Sequence, residues 1–274
     1  MRATWTFLFA AALTLAGCDD DTVSVRDVVP PAPPRGVYTV TGDQDVWVYW
    51  LDNTEPDVAG YRVYVAPCPR GSDCAYQPVG STTGTSFRVS GLLNGVTRYF
   101  GVTAYDRHGN ESELSEDILF DTPRPEGFGR SLVNFLDQDA GSGYDFSTAA
   151  VQRWDDSSTD MFFGYNGSVY QMFVPLDVDI QDAGYARSLD AVDFAPSGGW
   201  SPSGSVELID GHCYVVWTAD DRYAKFRVTD LVAPQLGQPA RVVFDWAYQT
   251  AAGNPELRAR PARGAGGRPL AWVR

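Results

Sequence analysis

Asp57-Val-Ala-Gly-Tyr-Arg-Val-Tyr64 and Val102-Thr-Ala-Tyr-Asp106 decide the fold class of this chain. Both are short runs of β-branched, aromatic and small residues bounded by turn formers, which read as strands rather than helices. Working outward, Val46, Val48 and Trp50 alternate with Trp47, Tyr49 and Leu51, and Ser86-Phe-Arg-Val-Ser-Gly-Leu92 and Phe100-Gly-Val-Thr-Ala-Tyr-Asp106 repeat the pattern. Short strands at regular spacing, with turn signals between them, predict an antiparallel β-sandwich.

The second half of the chain has the same character. Asp160-Met-Phe-Phe-Gly-Tyr-Asn-Gly-Ser-Val-Tyr-Gln-Met-Phe-Val174 predicts a hairpin turning at Asn166-Gly167, since Asn-Gly suits the tight turns that join antiparallel strands. His212–Thr218 and Tyr223–Thr229 predict a second hairpin across Ala219–Arg222, and Arg241–Gln249 a further strand. No segment shows a helical period, so the whole chain is expected to be all-β, a sandwich followed by a second β-rich domain.

In the first half, Val48-x-Trp50, Asp57–Tyr64, Thr85-Ser-Phe87, Gly91-Leu-Leu-Asn-Gly95, Val102–Asp106 and Gly109-Asn-Glu-Ser112 together resemble a fibronectin type III domain. The resemblance spans about residues 31–122 and implies seven strands with Trp50, Tyr61, Phe87, Leu92, Phe100, Val102 and Ala104 facing inward. One position departs: where the family carries its corner tyrosine, three residues after Gly95, this chain has Arg98 with Tyr99 beside it. In the second half, Gly211–Val228 and Val243–Thr250 are similar to the C-terminal strands of HmuY-like lipoproteins, all-β exported bacterial proteins whose best-known member binds haem. That likeness implies fold more than ligand, because axial haem ligation uses two side chains and this domain has one histidine, His212. Met161 and Met172 are the other conceivable ligands.

Near the start, Arg2 precedes an apolar run from Trp5 to Leu15, and Leu15-Ala16-Gly17-Cys18 has the form of a bacterial lipobox. At about 11 residues the run is too short to span a bilayer, for which about 20 are needed. The reading is a lipoprotein signal over 1–17, a lipid on Cys18 that anchors the chain to a membrane, and a place in the cell envelope. Asp19 resembles the inner-membrane retention signal of some sorting systems, but the choice of membrane stays open. Residues 18–34, rich in Asp and then in proline (Pro30, Pro31, Pro33, Pro34), predict an extended tether. A domain over 35–122 then leads through a Pro/Gly linker at 123–129 to the second domain at 130–257, with an Arg/Gly/Pro/Ala-rich tail at 258–274 that reads as disordered.

The formal net charge is −14. Residues 31–122 carry 6 Arg against 12 Asp/Glu, net −6, and residues 128–257 carry 7 basic against 18 acidic residues, net −11. A field of that sign over both folded regions argues against nucleic acid and anionic membrane as partners. Cys68 and Cys74, six apart in a turn-rich loop without histidine, favour a local disulfide over a metal site, contributing about 2.4 kcal/mol by loop-closure entropy. Cys213, among strand residues, reads as a buried inert thiol.

Few residues carry recognisable chemistry. Asp137-Gln-Asp139-Ala-Gly141-Ser-Gly143-Tyr-Asp145 has oxygen ligands at alternate positions, suggestive of calcium, but lacks the glycine and the final acid of an EF-hand loop. An Asp/Gly turn between strands explains it equally. Asp177, Asp179 and Asp182 are a weaker case, and Asp155, Asp156 and Asp160 read as loop caps or solvent-facing acids. The chain has two histidines, His108 and His212, and no Gly-x-Ser-x-Gly, phosphate loop or His-Glu-x-x-His. It therefore reads as a binder without a cofactor rather than an enzyme, with a paired-carboxylate glycoside hydrolase as the alternative from another class and a haem carrier as a third. Trp200, in Ser197-Gly-Gly-Trp-Ser-Pro-Ser-Gly204, either contacts a glycan or protein ligand or plugs one end of a sandwich.

Overall fold

The computed structural model describes residues 27–116 and 119–257. The lipidation site Cys18, the signal segment and the tail 258–274 lie outside the described residues. The described chain is built from strands with one short 3-10 turn at Leu189–Ala191, and within it no helix is long and apolar enough to cross a membrane.

The first unit contains β1 (Tyr38–Thr41), β2 (Asp45–Tyr49), β3 (Val58–Ala66), β4 (Gln77–Thr82), β5 (Ser86–Ser90), β6 (Arg98–Asp106) and β7 (Leu119–Asp121). A three-stranded sheet of order β1-β2-β5 faces a four-stranded sheet of order β4-β3-β6-β7. Period-2 alternation buries Val46 and Val48 from β2 against Tyr61 and Val63 from β3 and Phe100, Val102 and Ala104 from β6. Trp50 is buried in the same core, and Phe87 and Leu92 pack against it from its margin. All seven residues expected inside are thus at or against the core. Arg98, at the corner position, opens β6, while Tyr99 packs on Phe120 with ring centroids 5.9 Å apart. A different tyrosine ties loop to strand here: Tyr61 donates to Asp52 (2.7 Å) and accepts from the Asn53 amide (2.8 Å). Cys68 and Cys74 are disulfide-bonded in the β3–β4 loop, their Cα atoms 6.1 Å apart.

Part of the expected tether belongs to this unit. Pro31 and Pro34 are buried, Ala32 donates its amide to Glu55 (2.7 Å), and Asn53 donates back to the Ala32 carbonyl (2.8 Å). Proline gives the segment its extended shape; the burial of its rings against the sandwich keeps it from standing free.

The second unit contains β8 (Glu126–Val133), β9 (Gly143–Asp145), β10 (Ala150–Gln152), β11 (Met161–Tyr165), β12 (Tyr170–Phe173), β13 (Asp179–Tyr185), β14 (Ser205–Glu207), β15 (His212–Trp217), β16 (Tyr223–Val232) and β17 (Arg241–Gln249). Two five-stranded sheets, β10-β9-β11-β12-β14 and β13-β15-β16-β17-β8, enclose a core of Tyr144, Phe163, Met172, Tyr214, Phe226, Phe244 and their neighbours. Both expected hairpins are present. The first closes with four residues between Tyr165 and Tyr170 rather than with Asn-Gly alone, and the Asn166 side chain accepts the amides of Ser168 and Val169.

The expected linker at 123–129 is the largest revision. Glu126–Gly129 form the first half of β8, paired to β17, so the second unit begins four residues earlier than its sequence suggests. Pro123-Arg124-Pro125 is not a free connector but a seam. The Pro123 carbonyl accepts Gly95 N–H (2.8 Å), the Arg124 amide donates to Gly42 (3.1 Å), and the Pro125 carbonyl accepts Tyr248 N–H (3.0 Å). Gly95 has φ +76°, and a Cβ there would meet Thr250 of the second unit, so glycine both permits the turn and lets the units approach. Arg124 is fully buried at the seam and donates Nη2 to the Leu257 carbonyl (3.1 Å). The prolines were a correct sign of extended backbone; what they could not reveal is that both faces of it are covered.

Candidate functional site

Of the residues singled out in the second unit, Asp145, Asp155, Asp156, Asp160 and Asp177 line one cleft, and the others are scattered. Asp137 accepts from Asn134 Nδ2 (2.8 Å), and Asp139 takes the Trp154 indole N–H (3.1 Å) and pairs with Arg153 (3.3 Å). Asp145 is buried and accepts the hydroxyls of Ser147 and Thr148 at 2.7 and 2.8 Å. The alternating acids of 137–145 thus serve three separate turns. His212, half-buried at the start of β15, bonds through Nδ1 to Asp182 (3.0 Å). Met161 and Met172 are fully buried in the core, so neither reaches a ligand beside His212 without opening the sandwich. Trp200 is half-buried and packs on Trp217 at 6.0 Å, on the outer face of a sheet rather than at an open end. Cys213 is buried, and burial pushes its thiol up to about 11, which keeps it protonated and unreactive near neutrality.

The residues that do meet come from four separated loops. A cleft of about 540 Å³ opens at one edge of the second unit, between the loops at 145–147, 154–160 and 174–178 and the turn at Ala219–Asp220. Its walls combine the rings of Trp154, Phe162 and Tyr248 with the carboxyls of Asp145, Asp155, Asp156, Asp160, Asp177 and Asp220, and Leu176 stands exposed at the rim. The aromatic wall is braced from behind: Phe135 packs against Trp154 (5.5 Å) and Phe162 (5.3 Å), and Phe162 stacks on Phe173 (5.3 Å, 15°).

Asp160 differs from the other acids. It accepts the Phe146 amide (2.8 Å), yet burial, with the fields of Asp145 and Asp177 adding to it, pushes its carboxyl up to about 6. Asp145 goes the other way: burial opposes its charge, but the Ser147 and Thr148 hydrogen bonds hold it below the usual carboxylate range. The two neighbouring acids are therefore shifted in opposite directions, a pattern typical of functional sites. It also has a stability signature. The folded pKa of Asp160 lies above its unfolded value, so its contribution is full below about pH 4 and is lost as pH rises through about 6. Asp160→Asn keeps the bond to Phe146 and removes that cost. The variant is expected to gain about 2–3 kcal/mol at pH 7 and little at pH 4, read by urea unfolding at both values; an equal effect at the two pH values would contradict the assignment.

The reading of Asp155, Asp156 and Asp160 as caps or solvent-facing acids holds for the first two, which are exposed, and misses Asp160. No local pattern marks it, because its environment is made by Phe146 and Asp177, distant in sequence.

Around this site the strand order speaks for the other half of the chain. A β1-β2-β5 sheet packs on β4-β3-β6-β7, with Trp50 and Tyr61 in contact at 5.3 Å in the core. The first unit is a seven-stranded β-sandwich, the architecture that the fibronectin resemblance implies, and is called the fibronectin-like unit. No family model matches the chain. It is 28% identical over 113 residues to an amylopullulanase of Thermoanaerobacterium saccharolyticum, a match covering 41% of this chain and 8% of that protein. Among solved structures, an Fn3-like protein from Clostridium thermocellum is 20% identical with a TM-score of 0.28, covering 34% of this chain and 88% of that one. A DUF4466 family protein from Parabacteroides merdae is 11% identical with a TM-score of 0.41, covering 82% of this chain and 96% of that one. The fibronectin-like unit contributes no residue to the cleft, which lies wholly in the second unit.

Proposed function

We propose that this chain is an exported, lipid-anchored binding protein in which the fibronectin-like unit is a spacer and the second unit holds a carbohydrate chain in the acidic aromatic cleft. The observation that carries the reading is the cleft's composition. Trp154, Phe162 and Tyr248 supply apolar faces, and a surrounding set of carboxylates supplies hydrogen-bond acceptors, which suits the mixed C–H and hydroxyl surface of a sugar. The local likeness to an amylopullulanase supports the choice of a glycan. Anchoring would run through Cys18.

Isothermal titration of the full chain with a panel of oligosaccharides tests this. Trp154→Ala is expected to weaken the best ligand about tenfold, and unchanged affinity would remove the cleft from consideration.

One observation favours a second reading, glycoside hydrolysis. Asp160, its carboxyl pushed up to about 6 beside Asp145, whose carboxyl is held low, has the character of a general acid. Release of reducing ends by the full chain, lost in Asp160→Asn, would establish it; binding without turnover keeps the chain a binder.

A further inference from the structure

The outer face of the β1-β2-β5 sheet carries aromatic rings that the sandwich core does not use. Tyr38, Trp47 and Tyr49 point outward, opposite fully buried Val46 and Val48, and Tyr38 and Trp47 retain 41% and 37% of their surface. Tyr38 stacks on its cross-strand partner Tyr49 (5.1 Å, 12°), and Trp47 lies nearly parallel to Tyr49 (6.0 Å, 22°). The strip does not end on open surface. Trp47 and Tyr49 form one wall of a groove of about 640 Å³ between the two units, and Phe128 of β8, 68% exposed, lines the other side. Its volume falls within the usual range for small-molecule sites.

The charges of this groove select the ligand. Asp45 and Arg88 neutralise each other beside Trp47. Beyond that pair, the groove is lined by both signs of charge, Asp43, Glu126, Asp190 and Asp245 with Arg187 and Arg227. An anionic polymer would meet the carboxylates within a chain of net charge −14, and a cationic one would meet the guanidinium groups. An uncharged, hydroxyl-rich chain meets donors, acceptors and ring faces together and gives up little hydration of charge. We infer that the groove between the units is a second binding site, for a neutral polysaccharide, built jointly by Trp47 and Tyr49 of the fibronectin-like unit and Phe128 of the second. On this assignment the fibronectin-like unit takes part in recognition as well as spacing. The inference does not depend on the cleft around Asp160.

Affinity electrophoresis of the full chain in gels containing pullulan, laminarin or hydroxyethylcellulose, with carboxymethylcellulose as the charged comparison, tests it. At least one neutral polymer is expected to retard the chain. Trp47→Ala and Phe128→Ala should each weaken the retardation about tenfold while the melting temperature stays within about 5 °C of wild type. Trp47→Phe, which keeps a ring in the groove, should retain most of it. If both alanine variants run as wild type, if only carboxymethylcellulose retards the chain, or if no polymer does, the inference is wrong and the rings serve cross-strand packing alone. Trp154→Ala in the same gels separates the two sites, because it should leave the Trp47-dependent retardation in place.

Discussion

Arg124→Ala is expected to destabilise the chain by about 3–5 kcal/mol, the range for removing one partner from a buried charged cluster. The guanidinium is fully buried at the seam between the units. Burial works against its charge, and the fields of Glu126, Asp121, Asp190 and Glu256 offset that. The dependence is mutual: burial pushes the Asp121 and Glu126 carboxyls up, and Arg124 opposes the rise in both. Alanine would leave those acids without their counter-charge, leave the Leu257 carbonyl without its donor, and open a void the size of a long side chain. Because Arg124 bridges two cores, the loss should also change the form of unfolding. The wild type is expected to melt in one transition and the alanine variant in two, seen by differential scanning calorimetry. Arg124→Lys keeps the charge without the planar fork and should fall between them. A single transition in Arg124→Ala, within 1 kcal/mol of wild type (roughly the scale of a surface change), would show that the seam is held by backbone bonds alone.

Lys225→Met is expected to act in the opposite direction, stabilising the chain at pH 7 by about 1–4 kcal/mol. Lys225 is the chain's one lysine. It sits in β16 between Val215 and Ala247, fully buried, with Nζ donating to the Val192 carbonyl (2.9 Å). Burial, reinforced by Arg124, brings its ammonium down to about 7, against the pull of Asp190 and Asp193. The sign follows from the folded value lying below the unfolded one. Between about pH 7 and 10.4 the unfolded chain binds a proton that the folded chain has released, so this group makes stability rise with pH across that window. Methionine should therefore gain most at pH 7 and below, and the difference between variant and wild type should shrink toward pH 10. Urea unfolding at pH 6, 7, 8.5 and 10 measures it. A methionine variant less stable than wild type at pH 7 would mean that the bond to Val192, which ties the 186–195 segment over the sheet, outweighs the desolvation of the amine.

These residues also show how far the sequence could be read. The fibronectin resemblance implied that Trp50, Phe100, Val102 and Ala104 face inward, and alternation then puts Val46 and Val48 on the same side as Trp50, because the period of a strand leaves a one-faced core few options. The hairpins at 161–174 and 212–229 were legible for the same reason. Lys225 was not: a lone lysine in a strand reads as surface, and its burial comes from a cover contributed by residues 186–195. Arg124 was hidden by its neighbours, since proline on both sides suggests an exposed connector. The cleft was the least legible feature. Trp154, Asp160, Asp177 and Tyr248 share no motif, and Asp160 owes its protonation to burial and to acids distant in sequence. Trp47 and Tyr49 were visible as one half of an alternating strand, but nothing local tells that Phe128 stands across from them.

By itself, the sequence determined the all-β class, the fibronectin-like strand pattern, the local disulfide between Cys68 and Cys74, and the acid field over both units. All four depend on residue type and short spacing, which the chain carries with it before it folds. Tertiary structure alone decided that Pro123-Arg124-Pro125 form a seam and Glu126–Gly129 a strand, that the acids of 137–145 serve separate turns, and that Asp160 and Lys225 lie where their charged forms are disfavoured. Each of these follows from what packs against a residue, and that partner comes from far along the chain.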